Sequence, residues 1–500
     1  MAKERDENYS HVLKYTGIFG GVQGLNILIS LVRNKLIALL LGPQGMGLAS
    51  LFNTTTNFIS QATNLGISFS AVKHVSALFE EGDEEKINHF VKVVRAWSLI
   101  TALLGMAVCV MVGPLLSDYT FSWGDHTLHF VLLSPAVGLL AITGGETAIL
   151  KGARRLRSLA VIQLYSILAA LFISVPLYFI FGLAGIVPVI VLLALVSMLL
   201  TINFSYRLYP LRLGGACGVL YEGVSMVKLG VAFVLAGVLG SGAEMLVRSY
   251  LNVKGNLDIV GLYNAGFMLT ITYASMVYSA METDYFPRLS SACKDVGMLN
   301  QTVNRQIEVS LLIVSPMLAA LIIGLPVLMP LLYSTKFFPV IAMAQVAVFS
   351  MYIKSISLPI SYITLAKGDS VAYMVLEACY DVVFVLMIMV GYQLWGLYGT
   401  GLALSLSYLF DFAIVGSYAY FHYHYRLSGQ VWCYATIQIV LGIAIYIVSL
   451  IDHPVLYWVL GSLLCLVSLL ISVFILHQKT SLWSALINNF KVKFSRHAEG

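Results

Sequence analysis

Residues 31–67 read LVRNKLIALLLGPQGMGLASLFNTTTNFISQATNLGI. This stretch contains two apolar runs separated by a Gly-Pro turn at residues 42–45, which is expected to end one helix and begin the next. Arg33 lies within the first run, and the second run carries a polar side chain at nearly every third or fourth position. The pattern predicts two membrane-spanning helices with polar faces that cannot be turned toward lipid.

The composition of the whole chain is typical of a membrane protein. Of its 500 residues, 59% are hydrophobic and only 11% are charged, whereas soluble domains carry about 25% charged residues. A chain so poor in charge cannot cover a water-facing surface, so we expect lipid to surround it. The six cysteines lie far apart without metal-ligand spacing, so neither a disulfide framework nor a metal site is expected.

Apolar runs along the chain predict an all-α polytopic membrane protein with about 14 transmembrane helices. The basic residues predict its orientation. With a cytoplasmic N-terminus, 21 of the 29 Lys and Arg residues fall in cytoplasmic loops or tails, and only Lys254 and Lys336 fall in loops on the other side. This positive-inside bias predicts a multi-pass protein of the inner (plasma) membrane with both termini cytoplasmic.

The chain also repeats itself. Leu31-Val32-Arg33 recurs as Leu246-Val247-Arg248, and Gly47-Leu48 recurs as Gly261-Leu262 after 214 residues. Each repeat holds six predicted helices, an even number, so both halves cross the membrane in the same sense. We therefore expect two six-helix bundles around a central cavity, as in many transporters, followed by two extra transmembrane helices.

These expectations divide the chain into a cytoplasmic N-terminus (1–14), a first bundle (15–206), a cytoplasmic linker (207–224), a second bundle (225–421), two extra helices (422–476) and a cytoplasmic tail (477–500). No loop is long enough for a soluble catalytic domain, and no P-loop, nucleophile elbow or HExxH motif occurs. We therefore expect no enzyme chemistry, no catalytic residue, no cofactor, no metal and no nucleic-acid partner.

Arg33 and Arg248 occupy equivalent positions of the two repeats, inside predicted helices. An arginine at the centre of a membrane helix costs about 2.5–3.5 kcal/mol, and such residues usually have a function. Because guanidinium binds phosphate bidentately, both residues, with Lys35 nearby, are candidate contacts for a diphosphate. The alternatives are a static ion pair between Arg248 and Glu244, and an interface role for Lys35 as a helix-end residue.

Two polar stripes are candidates for lining a cavity that binds sugar. Their members recur every three or four residues, so each stripe follows one helix face. Besides Arg33 the first stripe comprises Gln23, Asn26 and Ser30, and the second comprises Asn53, Asn57, Gln61, Asn64 and Ser68. The alternative role is hydrogen bonding between packed helices.

Acidic residues at membrane depth are candidates for ion coupling. Glu377 and Asp381 are one helical turn apart, and Lys354 on the preceding helix is a candidate partner. Together with Glu244 these residues either couple transport to H⁺ or Na⁺ or form static salt bridges, which is the simpler role for each acid. Glu146 lies near a helix end, where an interface role is sufficient.

With these features the chain resembles the polysaccharide transporters, such as the O-antigen and lipid III flippases, of the multidrug/oligosaccharidyl-lipid/polysaccharide exporter superfamily. The resemblance covers nearly the whole chain and is carried by Arg33, by the turn beginning at Gly42 and by the Asn64-Leu65-Gly66 end of the second helix. It implies transport of an undecaprenyl-diphosphate-linked oligosaccharide, as in lipopolysaccharide O-antigen or capsule synthesis, from the cytoplasmic to the periplasmic leaflet. Arg33 and Arg248 match the positions for diphosphate contact, and the implied partners are membrane lipids, a polysaccharide polymerase and assembly proteins.

Three other functions remain open at this point. An ion-coupled multidrug or small-molecule antiporter of the same fold would be expected to use acidic residues in its first helix, where this chain has basic ones. A membrane glycan polymerase or ligase would resemble proteins with a large periplasmic loop, and the longest loop expected here is residues 113–127. A passive scramblase would transport without regard to ion gradients.

Overall fold

The computed structural model describes the backbone of residues 2–121, 124–210, 219–293 and 295–479, and most side chains from Leu25 onward within these ranges. The predicted linker at 207–224 and tail at 477–500 therefore lie partly outside the described residues. The described chain is helical and contains no strand. Its α-helices are α1 (Ala2–Thr63), α2 (Ile67–Glu81), α3 (Glu84–Thr120), α4 (Thr127–Gly152), α5 (Leu156–Phe181), α6 (Ile186–Leu208), α7 (Val219–Lys254), α8 (Leu257–Phe267), α9 (Tyr273–Ala292), α10 (Val296–Leu332), α11 (Val340–Ala347), α12 (Phe349–Ala366), α13 (Ser370–Tyr423), α14 (Gly429–Ser449) and α15 (Pro454–Lys479).

The helices are those of a multi-pass membrane protein. Within the described ranges, nine helical stretches are long and apolar enough to cross a membrane. Large apolar side chains such as Phe172, Phe179 and Phe474 point outward and are 71%, 77% and 62% exposed. Such a surface is stable in lipid and unfavourable in water. The prediction of an all-α polytopic membrane protein is confirmed.

Two of the longest helices contain a sharp break. Gly42 adopts φ 64° and ψ −171° within α1, and Gly396 adopts φ 58° and ψ −141° within α13. These are left-handed φ values that glycine adopts without steric cost. Gly182, between α5 and α6, has φ 54° and ψ −128°, so the repeat-equivalent Gly182 and Gly396 turn the chain in the same way.

The chain divides into two compact units. The first comprises the described residues up to Asn264 together with Met329–Phe338, and the second comprises Ala265–Leu328 and the described residues from Pro339 onward. In the first unit α4 packs against α2, α3 and α6, and α1 packs against α5 and α7. In the second unit α13 packs against α11 and α12, and α14 packs against α15. The limits predicted from the sequence for the two bundles stay a prediction.

The repeat is visible in three dimensions where α1 crosses α8 in the first unit. A Cβ atom on Gly47 would overlap the carbonyl oxygen of Leu257, and one on Gly261 would overlap the carbonyl oxygen of Pro43. The two contacts are reciprocal, because Leu257 follows Pro43 and Gly261 follows Gly47 after the same 214 residues. Such an exchange of contacts arises where two equivalent segments meet about a twofold axis. We call this contact the glycine crossing.

Replacing Gly261 with alanine should destabilise the protein, because the added Cβ meets backbone atoms that cannot rotate away. Overpacking of this kind costs about 1–3 kcal/mol, so the thermal unfolding midpoint of the purified protein should fall by several degrees. Gly429→Ala is the matched control, since nothing lies within 4 Å of a Cβ at that position. Equal unfolding midpoints for the two variants would contradict the close crossing.

Candidate functional site

Arg33 extends from α1 toward α5. Its Nε donates a hydrogen bond to the Ser174 hydroxyl at 3.1 Å, and Tyr178 is an electrostatic neighbour one turn further along α5. Gly45, just beyond the break in α1, closely approaches Leu183 in the turn that follows α5, so α1 also lies beside the end of α5. Among the described residues no carboxylate pairs with Arg33. Because a guanidinium has five N–H donors, four have no described partner and can bind an anion.

Asn26 lies two turns before Arg33 on the same face of α1. Its side chain is 4% exposed, and neither atom of its amide has a hydrogen-bond partner among the described atoms. Ser166 on α5, the helix that Arg33 contacts, also has a buried hydroxyl without a described partner. Buried polar groups of this kind usually bind water or a ligand. The half-buried Ser30 lies between Asn26 and Arg33, and the side chain of Gln23 lies outside the described residues.

The polar stripe beyond the break in α1 divides into two parts. Asn53, Asn57 and Gln61 are exposed on one face of an apolar span. Asn64 instead donates from Nδ2 to the Ser68 hydroxyl at 2.7 Å, and Ser68 lies in close contact with α4. The first three residues can therefore form hydrogen bonds with a polar ligand, whereas the last two contribute to helix packing.

Arg248 is surrounded by protein partners and is only 4% exposed. Its Nε donates to the Ser50 hydroxyl at 3.0 Å and its Nη2 to Asn264 Oδ1 at 3.4 Å. Its Nη1 donates to the Glu244 carboxylate at 3.0 Å, one helical turn away. The Ser50 hydroxyl also donates to Asn264 at 3.0 Å, joining residues that are 214 positions apart. This network, which we call the Arg248 clamp, ties α1, α7 and α8 together beside the glycine crossing.

The repeat-equivalent arginines therefore have different surroundings. Both Nη atoms of Arg33 lack a described partner, whereas every nitrogen of the Arg248 guanidinium donates to protein atoms. The ion pair with Glu244, the alternative considered for Arg248, is present. Lys35 donates from Nζ to the carbonyl oxygen of Pro330 at 2.5 Å. The three predicted diphosphate contacts thus bind three separate sets of protein atoms in this conformation.

The second unit contains an acidic cluster between α12 and α13. Glu377 interacts electrostatically with Asp381, Asp411 and Lys354, and a hydrogen bond joins it to the Tyr373 hydroxyl. The structure thus adds Asp411 to the predicted pair. The sequence did not indicate this placement, because Asp411 follows the break at residue 396 and only the return of the chain brings it near α12.

Lys354 lies at the edge of this cluster. Its Nζ donates to the Ser275 hydroxyl at 3.1 Å and is 5.6 Å from the centre of the Tyr408 ring. Among the described residues, Lys354 is the one cation that acts on both Glu377 and Asp411, so these two carboxylates carry surplus negative charge whenever both are ionised. Neutralising such a surplus inside a membrane requires a proton or a small cation.

A buried ion pair that sequence analysis missed joins α3 and α4. Arg95 Nε donates to Glu146 Oε1 at 2.9 Å, and the hydroxyl of Ser205 on α6 donates to Glu146 Oε2 at 2.5 Å. The side chains of Arg95 and Glu146 are 10% and 3% exposed, and the guanidinium lies 4.1 Å from the Tyr206 ring. No local pattern indicates this pair, because its members are 51 residues apart. It holds three helices of the first unit together.

Comparisons with solved structures define the class of protein. The fold is similar to the lipid II flippase MurJ in an inward closed conformation, with a TM-score of 0.69 and 13% identity over 92% of this chain and 99% of that chain. An inward-facing multidrug resistance MATE family transporter of the MOP superfamily gives a TM-score of 0.64 at 15% identity, over 79% of this chain and 93% of that one. A MOP superfamily transporter from Pyrococcus furiosus gives 0.55 at 13% identity, over 80% and 93%. The protein therefore has a flippase- and transporter-type membrane fold.

The family follows from the sequence. The family described as "Polysaccharide biosynthesis protein" matches residues 36–342, which is more than half of the chain. The chain belongs to this family, and the predicted resemblance is confirmed. No curated protein matches the chain by sequence at a significant level.

Replacing Glu146 with alanine should strongly destabilise the first unit, because Arg95 would remain buried without its partner. Breaking a buried ion pair from one side typically costs about 3–5 kcal/mol. The exposed pair between Glu80 and Arg154, 63% and 58% exposed, provides the matched control. Removing an exposed partner costs about 1 kcal/mol or less, so Glu80→Ala should leave the thermal unfolding midpoint nearly unchanged. Similar losses for both variants would contradict a structural role specific to the buried pair.

Proposed function

We propose that the protein is a flippase for an undecaprenyl-diphosphate-linked oligosaccharide, such as an O-antigen or capsule repeat unit. It would move this lipid from the cytoplasmic to the periplasmic leaflet by alternating access. One observation carries the proposal: Arg33 lies in a membrane-spanning helix without a described carboxylate partner, two turns from the buried amide of Asn26, which also lacks a described partner. A membrane cation normally has a counter-ion. Here the diphosphate of the cargo would be that counter-ion.

The proposed topology has 14 transmembrane helices, two six-helix bundles at 15–206 and 225–421, two extra helices within 422–476, and both termini in the cytoplasm of an inner-membrane protein. The lengths of the apolar stretches support this count. The stretch Arg157–Leu208 has 52 residues, which is about 78 Å of helix, far more than the hydrocarbon core of about 30 Å. The breaks at Gly42 and Gly396 divide two more stretches into pairs of membrane-length helices.

Asn53, Asn57 and Gln61 would bind the sugar part of the cargo. Their amides are exposed along one face of the second helix, and an amide can donate and accept hydrogen bonds at the same time. Sugar hydroxyls have the same double capacity. A row of amides can therefore form hydrogen bonds with sugars that carry their hydroxyls in different arrangements. No single amide needs to bind a sugar so tightly that the sugar cannot move on.

The Arg248 clamp and the glycine crossing would close the periplasmic side of the path. In the proposed orientation both lie on the periplasmic side, near the break in α1 and the C-terminal end of α7. The clamp joins two repeat-equivalent residues, Ser50 and Asn264, through one hydrogen bond and one shared guanidinium. Opening this side would require Arg248 to leave these partners, and the arriving diphosphate would replace them as acceptors. Arg248 would then contact the cargo in the outward-facing state.

The acidic cluster would couple transport to an ion gradient. Glu377 and Asp411 share one described lysine, Lys354, and Asp381 lies beside Glu377, so uptake and release of H⁺ or Na⁺ would change the balance of charge within the second unit. An ion-coupled small-molecule antiporter is the second candidate function, since the MATE transporter fold is also similar. The basic first helix favours the anionic lipid cargo. A polysaccharide polymerase and assembly proteins are the proposed downstream partners.

Deleting the gene in its host tests the proposed cargo directly. Complete lipid-linked oligosaccharide should accumulate in the cytoplasmic leaflet and surface glycan should be lost, as measured by leaflet-specific labelling of undecaprenyl-linked glycans. A normal leaflet distribution in a host without a redundant flippase would overturn the flippase proposal. In that outcome the small-molecule antiporter would become the leading function.

Replacing Arg33 with alanine should abolish complementation of this deletion, because the diphosphate would lose its counter-ion inside the membrane. Arg33→Lys should restore only part of the activity, since lysine keeps the charge but not the bidentate geometry. Arg154→Ala, which changes an exposed arginine, is the matched control and should complement fully. Wild-type activity of Arg33→Ala at normal membrane levels would refute the assignment of Arg33 to the diphosphate.

A further inference from the structure

A cavity of about 850 Å³ lies within the second unit, far along the chain from the polar stripes. It lies where the end of α9, the beginning of α10, the segment between α13 and α14, and the end of α15 meet. Arg288, Arg305 and Arg426 line it, together with a single carboxylate, Glu308, and several side-chain amides. The lining is therefore cationic and rich in hydrogen-bond donors.

Two of the three arginines have no described counter-ion. Arg305 and Arg426 are exposed to the cavity and form no ion pair with any described carboxylate. Arg288 donates to the neutral side-chain amide of Gln306 at 3.4 Å. If these residues only marked the cytoplasmic edge of the membrane, they would be expected to spread over a convex surface. Instead they converge on one concave space.

The segment between α13 and α14 is held firmly against the beginning of α10. Asn304, 9% exposed, donates to the carbonyl oxygen of Arg426 at 3.0 Å and accepts from the backbone N–H of Ser428 at 2.9 Å. Asn300 accepts from the backbone N–H of Arg426 at 2.6 Å. Both backbone polar groups of Arg426 are thus hydrogen-bonded, so its backbone is held in place beside the cavity. This is a preorganised arrangement of the kind that ligand sites require.

A second, apolar groove of about 590 Å³ adjoins the first at Arg426, which lines both spaces. Its walls include Phe412, Tyr420 and Trp432. Tyr420 and Trp432 are 48% and 52% exposed, as is usual for aromatic side chains at the depth of lipid headgroups. One arginine therefore separates a cationic cavity from an aromatic groove. The two spaces together fit a molecule with an anionic head and a hydrocarbon chain.

We propose that this cavity binds the phosphate-bearing headgroup of a membrane lipid, with the hydrocarbon chain of the same lipid in the adjoining groove. Basic pockets between transmembrane helices at the cytoplasmic surface commonly bind such headgroups. This proposal rests on the proposed function only for its orientation, in which the cavity lies on the cytoplasmic side of the membrane. The headgroup belongs either to a polyprenyl diphosphate waiting to be transported or to an anionic glycerophospholipid. Both present phosphate oxygens to Arg288, Arg305 and Arg426.

The test measures lipid binding by the purified full-length protein, using native mass spectrometry. The probes are undecaprenyl diphosphate, cardiolipin and phosphatidylglycerol, with zwitterionic phosphatidylcholine for comparison. The wild type should bind at least one anionic probe more tightly than phosphatidylcholine. The double variant Arg305→Ala/Arg426→Ala should lose affinity for that probe by about tenfold or more, because two charge-assisted contacts are removed. Arg207→Ala, an exposed arginine at the end of α6, is the matched control and should bind like the wild type.

The pattern of binding identifies the source of the headgroup. Arginine-dependent binding of undecaprenyl diphosphate would make the cavity a loading site for the cargo, and arginine-dependent binding of cardiolipin or phosphatidylglycerol would make it a phospholipid site. Unchanged affinities in the double variant, or no preference for anionic lipid in the wild type, would overturn the proposal. Arg305→Gln/Arg426→Gln repeats the comparison with side chains of similar length should the alanine variant unfold. Because binding is measured without transport, failure here is distinguishable from failure of the flippase proposal.

Discussion

The lack of water in the hydrocarbon core of a membrane is the constraint on which this structure depends. Every polar group placed there must find a partner inside the protein, in a ligand or in enclosed water. Helical hydrogen bonds satisfy this requirement for the backbone, so the polar groups that still need a partner are side chains. Arg248 and Glu146 are fully engaged with protein partners. Among the described atoms Arg33 and Asn26 are not, and in the proposed function this difference separates the residues that hold the first unit together from those that would receive cargo.

The two copies of the internal repeat make equivalent contacts at some positions and different contacts at others. At the glycine crossing the two copies remain equivalent, because each glycine admits the backbone of the other copy. The bond between Ser50 and Asn264 extends this equivalence by one further turn. At the arginines the equivalence is lost, since Glu244 is one turn from Arg248 and no carboxylate occupies the corresponding place beside Arg33. Two repeat-equivalent arginines, of which only one has an acidic partner, can respond differently to the same anion. Directional transport requires such a difference.

The candidate cationic sites and the acidic cluster occupy different parts of the chain. The first unit presents Arg33 and a strip of amides, whereas the second unit contains the acidic cluster and, at a different level, the cavity lined by arginines. If the cavity is a loading site for the cargo, the anionic lipid would meet its arginines first and Arg33 later. Within the second unit the acidic cluster lies at a different level from the arginine-lined cavity, so a change in its protonation would alter that unit without competing with the cavity for phosphate.

The sequence by itself determined the membrane class, the helical architecture, the family and the repeat, because periodic hydrophobicity and sparse charge depend only on the order of residues. It also identified Arg33, and it offered the ion pair with Glu244 as one role for Arg248, since a pair at one turn's spacing is local. Tertiary structure alone decided the partnership of Arg95 with Glu146, the addition of Asp411 to the acidic cluster and the convergence of three arginines on one cavity. These contacts join residues on separate helices, and helix packing, which no local pattern encodes, brings them together.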